Sequence, residues 1–212
     1  MKTILSLCDY TGNWPKFYRE AGYTVIQVDL KYGDDARLWP SRPSVTPRFP
    51  REFVDIRDLP KIHGVLAAPV CQFFSGSGAK HPRSDEQILF ALSLVDACLR
   101  IVHAVKPDWW ALENPVGKLV KWLGDPFFSF DPYMYGGYLA PDERSSLVFP
   151  CQDAYLKHTL LWGSFALPVK APVTPAAGSI IHSKFGGKSE RTKTFRSTTP
   201  MGFAKAFFQS NP

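Results

Sequence analysis

Through roughly the first hundred residues, short apolar runs alternate with amphipathic stretches, the pattern of strand and helix units that build a parallel sheet. Thr3 to Cys8 reads as a first strand, Trp14 to Ala21 as a helix that Gly22 ends, and Thr24 to Asp29 as a second strand. His63 to Ala67 and Asp108 to Leu112 read as further strands. Between Ser84 and Val105, the residues Ile88, Leu89, Leu92, Val95, Leu99 and Val102 recur at helical spacing. Ser84 stands before them as a cap with Gln87 three residues on, so a helix is predicted there. From Asp125 to Pro150, aromatics, Gly136-Gly137 and prolines break the pattern and predict loops and short strands, and Lys157 to Trp162 predicts a late strand. Pro168 to Ser179, rich in Pro and Ala, reads as a loop or linker, and Ile180 to Arg196 is basic with no clear period. Pro200 opens a last short helix to Phe208. An α/β fold with a mostly parallel sheet is the expectation.

Composition narrows this picture. A chain of 212 residues, 45% hydrophobic and 21% charged, can bury one proper core, so residues 1–212 are expected to form a single domain. The formal net charge of +6 attracts polyanions more than it repels them. Cys8, Cys71, Cys98 and Cys151 show no CxxC pairing, which argues against a zinc knuckle or a disulfide framework and for a reducing cytoplasm. No metal site is expected. The apolar segment from Ile88 to Val105 carries Ser93, Asp96, Arg100 and His103, so no bilayer span and no membrane partner are expected either.

Four features fall at predicted strand ends, where open parallel sheets place their ligands. The turn Asp9-Tyr10-Thr11-Gly12-Asn13-Trp14 follows the first strand, and Gly12 would let a cofactor approach the backbone. Asp29, followed by Leu30, ends the second strand, where a carboxylate can accept hydrogen bonds from both hydroxyls of a ribose. The loop Ala68-Pro69-Val70-Cys71-Gln72 places a thiol in polar surroundings just after an apolar strand, where a thiolate can be exposed and activated. Glu113, ahead of Asn114-Pro115, sits at the mouth of an apolar strand and is a candidate for a raised pKa. Each also has a bland reading: an ordinary turn, a solvated acid, a structural cysteine, a loop acid.

Together these residues resemble DNA cytosine-5 methyltransferases. Pro69-Val70-Cys71-Gln72 is similar to that family's Pro-Cys-Gln motif, and Glu113-Asn114-Pro115, about 40 residues later, is similar to its Glu-Asn-Val motif. Tyr10-Thr11-Gly12 resembles the opening glycine loop, and Val54-Asp55-Ile56 resembles the segment that receives the adenine. The strand Lys157 to Gly163 resembles the one that carries an Arg-x-Arg pair, although Lys157 and Thr159 stand at those positions here. Arg196 to Ala204 is similar to the closing Pro-containing helix, with the family's asparagine replaced. Only about 35 residues lie between Gly163 and that helix, too few for a target recognition domain, as in short phage-type relatives; residues 168–196 form a basic loop region in its place.

The resemblance implies a Rossmann-like methyltransferase fold with helices on both faces of the sheet, and S-adenosyl-L-methionine as cofactor. It implies that Asp9, Tyr10, Thr11, Gly12, Asn13, Trp14, Asp29, Leu30, Asp55, Ile56, Ala68 and Pro69 bind that cofactor. Cys71 is the implied nucleophile and Glu113 the partner acid, with Asn114 and Pro115 holding the carboxyl and Gln72 closing on the base. DNA, duplex or single-stranded, is the implied partner, alone or with a specificity subunit, in the cytoplasm of a bacterium or phage-infected host. Lys157, Thr159, Lys184, Lys188, Arg191, Lys193 and Arg196 are candidate nucleic-acid contacts, with Phe185 and Phe195 as candidate stacking residues. Competing readings keep the chemistry on a free cytidine nucleotide or RNA, or make the chain a catalytically silent binding homologue. A cysteine hydrolase using Cys71 with His63 or His81 is a further rival.

Overall fold

The structure, a computed structural model, describes residues 1–39, 59–76, 82–178 and 190–212. Six strands form one sheet: β1 (Thr3–Leu7), β2 (Thr24–Val28), β3 (Ile62–Ala67), β4 (Trp109–Pro115), β5 (Phe128–Phe130) and β6 (Thr159–Ser164). Their order is β2-β1-β3-β4-β6-β5. The first four run parallel, and β6 lies antiparallel between β4 and β5. The fold is therefore mixed α/β with a mostly parallel sheet.

Side chains alternate between the two faces of the strands, as the pleat requires. Leu5 and Leu7 of β1, Leu112 of β4 and Leu160 and Trp162 of β6 enter one core, whereas Ile4, Ala111 and Leu161 enter the other. On β3, Ile62, Val65 and Ala67 share a face despite their odd spacing, because the β1–β3 register slips by one residue at His63. Helix α2 (Asp85–Val105) covers the first face through Ala91, Val95, Cys98 and Ile101. Its start is the predicted capping box: Gln87 N donates to Ser84 Oγ at 3.3 Å, and Ser84 N to Gln87 Oε1 at 3.2 Å. Contrary to the expectation from its polar residues, α2 is long and apolar enough to cross a bilayer by length and composition. Its inward stripe is instead packed on the sheet.

The second face is covered by α1 (Lys16–Glu20) and the C-terminal helix α5 (Met201–Ser210); between α2 and α5 lie α3 (Val120–Leu123) and α4 (Glu190–Ser197). Tyr18, Trp109, Phe203 and Phe207 are buried there, and Phe203 stacks on Phe130 with centroids 3.8 Å apart. Pro200 caps α5 from outside rather than opening its first turn. Helix α4 was not predicted, because eight mostly polar residues with one aromatic carry no hydrophobic period.

Asp153 fixes the start of α5. Fully buried, it accepts from Ser145 N at 2.9 Å, from the Ser145 hydroxyl, and from Met201 N at 3.1 Å. Gln152 and Asp153 both have left-handed backbones (φ 55° and 47°), a conformation that these contacts must offset. Asp153→Ala removes the acceptor of Ser145 N and leaves Met201 N only the Ser145 hydroxyl, and is expected to lower stability by about 1–3 kcal/mol, read as a reduced urea midpoint at unchanged m-value.

Candidate active site

The chain leaves β1, pairs β2 on one side of it, and returns to place β3 on the other. Strand order reverses at β1, and the crevice beyond the carboxyl ends of β1 and β3 is where such sheets bind ligands. The loops after β1, β2, β3 and β4 meet there, and they carry the residues picked out from the sequence.

In the turn after β1, Asp9 is 4% exposed. Its Oδ1 accepts from Thr11 Oγ1 at 2.7 Å and Gly12 N at 3.0 Å, while Oδ2 is buried without a hydrogen bond. Gln27 of β2 donates to the Asp9 carbonyl, and Arg19 clamps the turn, donating to Gln27 Oε1 at 2.6 Å and to Gly12 O at 3.2 Å. Gly12 (φ +65°) takes a backbone that a side chain would strain. At the end of β2, Asp29 accepts from Lys31 N at 2.8 Å. Burial pushes both carboxyls above the usual range, and the Asp9 charge raises Asp29 further.

An open cleft of about 380 Å³ adjoins this turn. Tyr10, Thr11, Asn13 and Tyr32 line one side, and Ser145, Ser146, Thr194, Phe195 and Thr198 the other. Asn13 Nδ2 donates to Thr199 O at 3.3 Å, tying the glycine turn to the segment between α4 and α5. Two mutually repelling carboxylates at adjacent strand ends, one with an orphaned oxygen, fit a cationic ligand. The Trp14 side chain, by contrast, is fully buried against Phe203 and Phe207 and belongs to the core, which leaves only its backbone in the turn. Leu30 is exposed, and Ala68 continues β3, its N–H donating to Leu7 O at 2.9 Å.

Cys71 lies in the loop after β3, and Glu113 lies on β4, the parallel strand beside it. Strand β4 extends past the predicted end at Leu112, because β6 pairs with Glu113, Asn114 and Pro115 after β3 has stopped pairing at Leu112. Glu113 is thus held in the ladder, and no described residue donates a hydrogen bond to its carboxyl. Asn114, fully buried, donates from Nδ2 to Pro69 O at 3.0 Å and so pins the cysteine loop to β4. A second tie lies further out: Gly76 N donates to Val116 O at 3.0 Å, Lys118 N donates to Phe74 O at 2.8 Å, and Ser75 bridges Gly117. A Cβ on Gly117 would lie 2.0 Å from Phe74 O, so only glycine permits this approach.

Burial raises the Cys71 thiol, the Glu113 charge raises it further, and the positive charges of Lys157 and Arg196 pull it down. Burial likewise raises Glu113, which Lys157 lowers and Asp9 raises. Lys157 reaches across to donate from Nζ to Thr198 O at 3.3 Å. Its predicted companion Thr159 is 1% exposed, with its hydroxyl donated to Lys157 O, so it offers no surface to nucleic acid. Gln72 is exposed, and Arg83 donates to its carbonyl at 3.0 Å.

Lys193 and Arg196 lie on α4, where Phe195 packs edge-on 6.4 Å from Phe149 while also lining the cleft. Asp55, Ile56, His81, Lys184, Phe185 and Lys188 lie outside the described residues, and Arg191 is described by its backbone alone. His63 sits near the amino end of β3, bonded to Asp108 and to Pro212 O at 2.7 Å each, a strand's length from Cys71; it cannot serve as its base. Sequence reasoning missed Tyr155, whose buried hydroxyl has no hydrogen-bond partner among the described residues and whose ionisation is opposed by burial and then by the Asp153 and Glu113 charges. It also missed Arg19, which acts through a strand-to-helix turn and the next strand, and Asp153 and Gly117, whose roles depend on Met201 and Phe74 more than forty residues away.

No protein-family model matches the chain, and no curated protein does. Among solved structures, it is similar to a protein assigned as a DNA modification methyltransferase, encoded within an E. coli prophage, at 15% identity and a TM-score of 0.42. That likeness covers 82% of this chain and 53% of the other. The chain thus spans about half the length of that protein, whose activity is not carried over by so distant a likeness.

Proposed function

We propose that the chain is a Rossmann-like methyltransferase that transfers a methyl group from S-adenosylmethionine to carbon 5 of cytosine in DNA. The observation that carries this reading is that the loop after β3, which bears Cys71, is tied by the Asn114–Pro69 hydrogen bond to the end of β4, which bears Glu113, where burial and then the Glu113 charge raise the Cys71 thiol. Covalent activation needs such a pair, since carbon 5 of cytosine is a poor nucleophile until carbon 6 carries a donor.

In the proposed reaction the Cys71 sulfur bonds to carbon 6 as the Glu113 carboxyl gives its proton to N3. The ring's electrons move to leave an enamine with carbon 5 nucleophilic. S-adenosylmethionine, when bound, supplies the electrophilic methyl. Loss of the carbon 5 proton to water then expels Cys71 as the thiolate with the carbon 6–sulfur electron pair, and the N3 proton returns to Glu113. Asp9 and Asp29, with Tyr10, Thr11 and Asn13, would hold the cofactor. Asn114 keeps the two loops in register. Glu113 also favours cytosine over uracil, because a protonated carboxyl has no acceptor to meet at uracil N3.

Labelled methyl transfer to duplex DNA, single-stranded DNA, RNA and dCMP, run side by side, tests the substrate. Label in DNA is expected. Label confined to RNA or dCMP would reassign the substrate, and cofactor binding without transfer would favour a silent homologue. Gly117→Ala is expected to cost about 100-fold in transfer rate, the scale of a 1 Å misplacement, with the far-ultraviolet spectrum unchanged.

A further inference from the structure

Beside the cysteine loop lies an exposed surface that the proposed chemistry does not use. The segment after β4 runs Val116-Gly117-Lys118-Leu119 into α3, and its bridge to Ser75 places it directly against the loop that carries Cys71. Leu119 is buried and anchors it. Val116 (47% exposed) and Trp122 (45% exposed) face outward, as do Lys118 and Lys121. The Trp122 ring rests on fully buried Phe74, with centroids 5.6 Å apart at 57°, so its outer part is held against a fixed support. Among the described residues no carboxylate pairs with Lys118 or Lys121, and exposed Asp125, four residues beyond Lys121, bonds to neither.

We propose that Trp122, Lys118 and Lys121 form a binding platform for single-stranded DNA, on which a base flanking the target stacks while the lysines hold its phosphates. An indole supported from behind, flanked by unpaired cations, combines the two elements that bind unpaired strands without sequence readout: a π-face for any base and charge for the backbone. A protein partner would not need an aromatic ring between two uncompensated lysines, whereas a polyanion with exposed bases uses all three. Continuity with the cysteine loop sets the register: a strand on this platform has its next nucleotide at the crevice, already unstacked, and the cost of opening a duplex is avoided. The proposal rests on the reading of the site as acting on cytosine in DNA.

Fluorescence anisotropy with a labelled 15-nucleotide single strand, its blunt duplex and the matching RNA tests it without requiring turnover. For Trp122→Leu, single-strand affinity is expected to fall about tenfold, with duplex affinity little changed. For Lys118→Gln/Lys121→Gln, the slope of log affinity against log salt is expected to shrink by about 1.4, two phosphates' worth for a single strand. Absent methyl transfer by the parent protein, with these binding effects intact, would overturn the chemistry and leave the platform standing. Parental affinity and salt slope in both variants, or preference for the RNA, would overturn the platform.

Discussion

Cys71→Ala is expected to reduce methyl transfer to cytosine by at least about 10⁴-fold while the protein stays folded. Without the sulfur no bond forms at carbon 6, and the neutral ring has no means of attacking a sulfonium methyl. The side chain belongs to a loop and to neither core cluster, so its loss opens no large cavity. Cys98→Ala is the informative contrast, since Cys98 is fully buried between α2 and the sheet and its loss should lower stability with activity retained per folded molecule. Single-turnover transfer beside a urea titration separates the two. Transfer by Cys71→Ala within tenfold of the parent would remove the covalent route.

Glu113→Gln is expected to cost about 10²–10⁴-fold, the range of a positioned general acid, and also to change the pH profile. The reactive pair needs a thiolate and a protonated carboxyl together, which holds the same number of protons as a thiol and a carboxylate. Activity should therefore rise with pH as the first proton leaves the pair, hold a plateau, and fall as the second leaves. Because burial raises both groups, both limbs should lie above the ordinary glutamate and cysteine values. In Glu113→Gln only the thiol is left to titrate, so the rising limb should move to the thiol's own ionisation and the alkaline fall should vanish. A variant that kept both parental limbs would place those ionisations elsewhere.

Local patterns were legible where they answered to a local period or cap. The α2 stripe and its Ser84–Gln87 box could be read directly, because both depend on residues within one turn of each other. Strand β1 and strand β2 were legible for the same reason: apolar runs stopped by turn residues. What could not be read was whatever long-range pairing decides. Glu113 falls inside β4, not beyond it, because antiparallel β6 arrives from almost fifty residues later in the chain. Trp14 looks like part of a cofactor turn until α5 supplies Phe203 and Phe207 to enclose it. Thr159 matches a contact position by alignment of motifs, yet strand pleat turns it inward. Gly117 carries no motif of its own, and its need for a missing side chain shows only when the Phe74 carbonyl lies against it.

The covalent step is the centre of the account, and one trapping experiment reaches it. A single-stranded oligonucleotide carrying 5-fluorocytosine, incubated with the protein and S-adenosylmethionine, cannot lose its carbon 5 substituent as a proton, so the adduct should persist after transfer. Intact mass followed by peptide mapping is expected to find one methylated oligonucleotide attached through Cys71. Cofactor binding without any adduct, or an adduct on another residue, would contradict the assignment of Cys71 as the nucleophile.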